Sequence, residues 1–169
     1  DQHAKTIQVV PKKVTREVLE KRFHSTSDGD QLYLGVEYAN VQPVGLSFAS
    51  QELLGIAGKD ELGRTRFVKT LLKELCRIGA RLYIVDDTPG TLEEWKEQEQ
   101  TELYSKKTEE LSELLEDLKI QLEERLERIA SEGMGWMEKE PPYVLVIQNR
   151  GVIPAMGADK ALLALYKEI

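Results

Sequence analysis

Residues 53–76 join three things in an order that few folds accept: an unbroken apolar run, a turn with two spaced glycines, and an amphipathic helix. The run is Leu53-Leu54-Gly55-Ile56-Ala57. It lacks the alternation of a half-exposed strand and so reads as a strand buried on both faces. The turn is Gly58-Lys59-Asp60-Glu61-Leu62-Gly63-Arg64-Thr65, after which Phe67, Val68, Leu71, Leu72, Leu75 and Cys76 recur at helical spacing. Gly79 ends that helix, and two further apolar runs follow, one over 81–87 and one over 143–147. An Ala/Leu-rich helix over 158–167 closes the pattern. Strand alternating with helix predicts an α/β fold with a mainly parallel sheet.

The N-terminal part reads differently. Ile7 to Val10 is a short strand stopped by Pro11, and Thr15 is placed to cap a helix carrying Val18, Leu19 and Phe23. Runs over 32–38 and 41–48, separated by Ala39-Asn40, predict a hairpin or adjacent strands. Further on, Thr91-Leu92-Glu93-Glu94 has the pattern of a capping box opening a long helical stretch. Leu111, Leu115, Leu118, Leu122, Leu126 and Ile129 line one side of that stretch, which is expected to pack on the sheet instead of forming a coiled coil.

Charge narrows the functions available. The 169 residues carry a formal net charge of −7, and residues 91–140 alone hold 16 acidic against 7 basic side chains. The rest is close to neutral. Phosphate backbones are held by clustered Lys and Arg, and none occurs, so strong nucleic-acid binding is not expected. The apolar runs are too short to span a bilayer, so no membrane insertion is expected. Cys76 has no partner for an internal disulfide, and with only His3 and His24 a zinc site is not expected; both counts fit a cytosolic compartment. The sequence opens at Asp1 and reads as a piece of a longer protein.

The turn at 58–65 has the spacing of a phosphate-binding loop, Gly-x4-Gly-basic-Thr, with a strand-like run before it and a helix after it. In such a loop the glycines let backbone N–H groups converge on a phosphate at the positive end of a helix. Gly58, Lys59, Gly63, Arg64 and Thr65 are the candidate nucleotide-binding residues, with Thr65 as the magnesium ligand if Mg²⁺ binds. Arg64 stands where the pattern has lysine, and a planar guanidinium does not replace a compact ammonium between two phosphates. Asp60 and Glu61 bring negative charge to the turn; facing inward at ~5 Å, either would cost about 3 kcal/mol per unit of phosphate charge.

The second corner of such a site is a strand ending in an aspartate and a water-activating acid. Here Tyr143-Val144-Leu145-Val146-Ile147 ends in Gln148 and Asn149, two neutral amides that can neither charge a metal's shell nor take a proton from water. Asp86 and Asp87 end the neighbouring strand and are expected to be solvent-facing acids before Thr88-Pro89-Gly90, not a relocated metal site. No residue is assigned a catalytic role.

Leu32-Tyr33-Leu34-Gly35-Val36, Gln42-Pro43-Val44-Gly45-Leu46, Leu82-Tyr83-Ile84-Val85-Asp86 and the 114–128 helix followed by 141–149 occur in the order of a known family. The chain resembles FtsK/SpoIIIE-type ATPase modules of type VII secretion motors. The resemblance implies a RecA/FtsK-like P-loop three-layer sandwich over 31–169, incomplete at its C-terminus and preceded by extra strands. Residues 1–30 would be a linker from a preceding module. Gly58, Gly63, Arg64 and Thr65 would be the Walker A equivalent, and Gln148 and Asn149 the Walker B equivalent, both degenerate. The cofactors implied are ATP and Mg²⁺, bound weakly or not at all. The implied partners are other ATPase modules of the same chain and secreted helical-hairpin proteins, at the cytoplasmic face of a bacterial membrane.

Three functions follow in order. The first is a late, degenerate module serving recognition, regulation or scaffolding. The second is a translocase module whose ATPase site is completed by a neighbouring subunit. The third, opposed by the acidic balance, is a DNA-translocating motor.

Overall fold

The computed structural model describes residues 9–23, 31–47, 53–59, 62–86, 91–107, 110–148, 151, 154 and 157–168. The chain divides into two compact units, Asp1–Ile78 and Gly79–Ile169. The expected strand at 7–10 lies partly outside the described residues, and Val9 and Val10 are not in a strand. None of the described helices is long and apolar enough to cross a membrane.

The first unit contains α1 (Arg16–Phe23), β1 (Gln31–Val36), β2 (Pro43–Ser47) and α2 (Arg64–Arg77). β1 and β2 pair antiparallel, Leu32 opposite Leu46, with a bulge between Tyr33 and Gly35. The expected hairpin is present, but its strands are shorter than the sequence suggests. Residues 37–42 form the connection, closed by Glu37 N–H donating to the Gln42 carbonyl at 2.7 Å. Inside it, Asn40 Oδ1 accepts from the Gln42 N–H at 2.9 Å, the short polar side chain imitating a backbone turn. α2 buries Val68, Leu71, Leu72 and Leu75, as its apolar spacing predicts.

The same face of α2 also buries a carboxylate, Glu74. Its Oε1 takes the guanidinium of Arg16 from α1, and its Oε2 accepts from Arg77 Nε at 3.2 Å and from the Tyr33 backbone N–H at 3.2 Å. Arg77 in turn lies 5.4 Å from the centre of the Tyr33 ring. One acid thus ties α1, β1 and the end of α2 together. Buried charge is tolerated only when paired and hydrogen-bonded, and this one is both.

The second unit contains β3 (Arg81–Val85), β4 (Thr101–Ser105), α3 (Leu111–Glu132), β5 (Tyr143–Ile147) and α4 (Lys160–Glu168). Its sheet runs β4-β3-β5, and both pairings are parallel. The central strand is buried on both faces. Tyr83 and Val85 pack with Leu111, Leu114, Leu115, Leu118 and Leu162 of α3 and α4, while Leu82 and Ile84 are fully buried on the other face. Asp159 opens α4 by accepting on Oδ1 from the Ala161 and Leu162 N–H groups at 2.9 and 3.1 Å. The α/β class with a mainly parallel sheet, read from the sequence, is the observed one.

One expectation in this unit fails, and another, the packing of the leucine row on the sheet, holds over 111–122. The Thr91–Glu94 pattern does not open the long helix; it leads into a single 3₁₀ turn, Glu93–Trp95, and then into β4. The reason lies in the partner strand: Leu82 N–H donates to the Gln100 carbonyl at 2.7 Å and Asp86 N–H to the Ser105 carbonyl at 2.9 Å. Pairing with β3 outweighs the local helical preference of a charged segment. The helix on the sheet begins only at Leu111, and its C-terminal half, where Leu126 is 64% exposed, is not covered as the first half is.

Replacing Glu74 by Ala is expected to lower stability by about 2 kcal/mol, less than a fully enclosed ion pair because both arginines reach solvent. Glu74→Gln, which keeps an acceptor for the Tyr33 N–H, is expected to cost less. Urea denaturation of the two variants checks the order.

Candidate functional site

The turn that most resembles a nucleotide site is built in the first unit. Gly63 takes the position before α2 with φ 93° and ψ 18°, a left-handed conformation that favours glycine, and its carbonyl accepts the Phe67 N–H at 2.9 Å. Upstream, Leu62 N–H donates to the Lys59 carbonyl at 3.1 Å. Gly58, Lys59, Gly63 and Arg64 gather around one open cleft of ≈ 540 Å³. Thr65 sits in the first turn of α2 and does not line it.

The strand that should lead into this turn is absent. Residues 53–59 form no strand, and Leu53 is 83% exposed. The expectation of a strand buried on both faces is therefore corrected. A continuous apolar run becomes a buried strand only when neighbours take its N–H and C=O groups on both edges. Among the described residues none pairs with this one.

The cleft's walls follow from that. Leu34, Leu46, Leu54, Ile56, Leu62 and Phe67 supply most of the lining, and among the described residues Lys59 and Arg64 supply its charge. Hydrocarbon offers no donors to phosphate oxygens. Gly58 lies outside the left-handed region, and a Cβ added there would meet nothing within 4 Å. No tight turn or close approach requires glycine at that position, unlike the first glycine of a phosphate nest. As a triphosphate cradle these residues fit poorly. Asp60 and Glu61 lie outside the described residues.

The Walker B equivalent belongs to the second unit. Gln148 directly follows β5 and is tied to the sheet by its N–H, which donates to the Val85 carbonyl at 2.9 Å. Its side chain is a half-buried neutral amide. Asn149 lies outside the described residues.

Asp86, at the end of β3, departs from its expected place. It is 1% exposed, not solvent-facing. Its Oδ2 accepts from the Leu92 N–H at 2.7 Å and from the Tyr104 hydroxyl at 3.0 Å. It therefore anchors the start of the 91–95 segment and one side chain of β4, and so helps bring β4 beside β3. Its Oδ1 has no hydrogen-bond partner among the described residues. Asp87 lies outside them. No group of three or more His, Cys, Asp or Glu side chains able to hold a metal occurs among the described residues. Cys76 is half-buried, and burial pushes its thiol pKa up, away from the reactive thiolate.

Two phenols are held protonated. Tyr83 is pushed well above the usual tyrosine range, first by burial and then by its hydroxyl's bond to Asp117 Oδ2 at 2.9 Å. Tyr104 is pushed up by burial and then by Asp86. Sequence reasoning missed both pairs; each joins residues 18 or more apart in the chain.

No protein-family model matches the chain. No curated protein matches it. Among solved structures it is similar to the one described as the cytoplasmic domain of EssC, with a TM-score of 0.71 over 96% of this chain. The fold is EssC-like. Identity is 17%, and the match takes in 34% of the EssC chain, so the likeness concerns the fold of about a third of that structure.

Because both phenols have raised folded-state pKa values, the unfolded chain ionises first. Their contribution to stability is intact below about pH 10, the ordinary tyrosine value, and is lost as the pH rises through the folded values. Asp86→Asn is expected to lower the titration midpoint of Tyr104, read as phenolate absorbance against the parent protein.

Proposed function

We propose that this chain is a module of a type VII secretion motor in which ATP hydrolysis has been given up and the P-loop-like fold serves as a scaffold for recognition or regulation. The observation that carries the reading is the apolar run at 53–57. Leu53 in it is 83% exposed, and among the described residues no strand pairs with it, directly before Gly58, where a working phosphate loop needs a buried strand to hold its backbone N–H groups in a fixed curve. Arg64 in place of lysine and Gln148 in place of an acid point the same way. The likeness to the cytoplasmic domain of EssC supplies the setting, and the sequence order shared with FtsK/SpoIIIE-type modules supports it.

In this reading the partners are neighbouring ATPase modules of the same motor and the helical-hairpin proteins it exports, and the place of action is the cytoplasmic face of the membrane. The apolar cleft beside Gly63 suits a side chain or short segment of such a partner better than a triphosphate. ATP and Mg²⁺ are bound weakly or not at all.

A second reading, a module completed by its neighbour, draws on the gathering of Gly58, Lys59, Gly63 and Arg64 at one cleft. It requires Arg64→Ala to abolish turnover and secretion together in the full motor. The proposed reading requires that variant to leave turnover at the other modules intact. For the chain by itself, titration calorimetry with Mg-ATP is expected to show no saturable heat in the micromolar range. A steady-state assay is expected to show no phosphate release above background. Micromolar binding would overturn the reading.

A further inference from the structure

The apolar run over 53–57 is five residues long, the length of β2, β3, β4 and β5. Leucine, isoleucine and alanine around one glycine would suit a sheet, yet residues 53–59 form neither strand nor helix nor turn. Among the described residues, none donates to or accepts from the backbone of 53–58. The side chains are bare as well: Leu53 is 83% exposed and Leu54 41%. Gly55 stays out of the left-handed region, and a Cβ added there would meet nothing within 4 Å. Its surroundings leave an extended course open.

What can cover the run is set by what it leaves unmet. Hydrocarbon from a lipid or a small apolar ligand would bury Leu54 and Ile56 but leave the N–H and C=O groups without partners, at a cost that offsets the gain. Another backbone meets both needs, by adding a strand. Leu54 and Ile56 lie two apart, the spacing of one face of a strand, and both line the cleft of ≈ 540 Å³ that Leu34, Leu46 and Phe67 share. Side chains of an added strand that face this way find apolar company. At the end of the run the chemistry turns. Lys59 and Arg64 line the same cleft, and Lys59 forms no ion pair among the described residues. α2 opens beside them with no acid in its first turn and no side-chain cap. An incoming segment therefore matches when its apolar residues are flanked by a carboxylate. A second copy of the run would bring its own lysine and arginine instead.

We propose that residues 53–58 are a docking edge for an extended segment of another polypeptide, apolar at alternate positions and bearing a carboxylate that reaches Lys59 and Arg64. It rests on the recognition reading of the cleft and names the form its partner takes.

The test uses the full chain and short fluorescently labelled peptides that alternate valine and threonine and end in aspartates, read by anisotropy. Replacing the aspartates by lysines is expected to weaken binding at least about tenfold. Methylating peptide backbone nitrogens separates strand addition from mere adhesion. Successive N–H groups of a strand point to opposite edges, so methyls on one alternate set are expected to lower affinity at least about tenfold, and methyls on the other set to leave it within about twofold. Lys59→Glu is expected to weaken the aspartate peptide about tenfold. The charge-matched Lys73→Glu, on α2 but not lining the cleft, is expected to stay within about twofold. Both lysines are exposed, so circular dichroism should be unchanged. Equal response to the two methylation patterns would overturn the proposal, as would Lys59→Glu binding like the parent or Lys73→Glu losing as much. So would a concentration-dependent dimer that the peptide dissolves, giving the run to a second copy. Mg-ATP tells the two levels apart: if neither peptide nor Mg-ATP binds, only the docked segment is lost, whereas micromolar Mg-ATP binding removes the recognition reading itself.

Discussion

A buried strand must hand its backbone hydrogen-bonding groups to neighbours on each edge, and this single requirement sorts the apolar runs of the chain into those that build the fold and the one that does not. β3 meets it: β4 and β5 flank it in parallel, and its side chains are buried on both faces. An unsatisfied buried N–H or C=O costs as much as several favourable contacts return, so hydrophobicity alone does not make a strand. Leu53 to Ala57 is comparably apolar to β5, but among the described residues no strand pairs with it, and Leu53 is 83% exposed.

Charged groups placed at the seams of the two units work by the same accounting. Glu74 is buried where three elements of the first unit meet, and each of its oxygens is spoken for. Asp86 fills a corresponding position in the second, drawing the Leu92 N–H and the Tyr104 hydroxyl to the end of β3. Acids at the ends of parallel strands are the usual raw material of catalysis. Here the carboxylate at the strand end is committed to holding the sheet together, while the strand beside it ends in an amide.

Much of this was legible in the sequence. The α2, β3, β5 and α4 segments announce themselves by period and by their glycine and proline punctuation, and the hairpin by its polar centre at Ala39-Asn40. What stayed hidden depends on distant partners. Thr101 to Ser105 lies in the most acidic part of the chain and becomes a strand only because β3 offers it a backbone. The capping-box pattern at Thr91 is real as a pattern, but the 3₁₀ turn it produces is brief, because residue 101 is already committed to the sheet. Asp86 looked solvent-facing because acids before a Pro-Gly turn usually are; its burial is a property of Tyr104 and Leu92, 18 and 6 residues away. At the candidate site, the glycine spacing was readable and the missing strand was not, since pairing is never visible in one segment alone.

Whether the turn from Gly58 to Thr65 can hold a triphosphate separates a scaffold from a working nucleotide site. Crystals of the chain soaked with ATP and Mg²⁺ put the question directly. The expected result is no ordered triphosphate density along the 58–65 backbone and no metal at Thr65. A nucleotide seated there, with its phosphates held by the backbone N–H groups and a magnesium ion on the Thr65 hydroxyl, would contradict it.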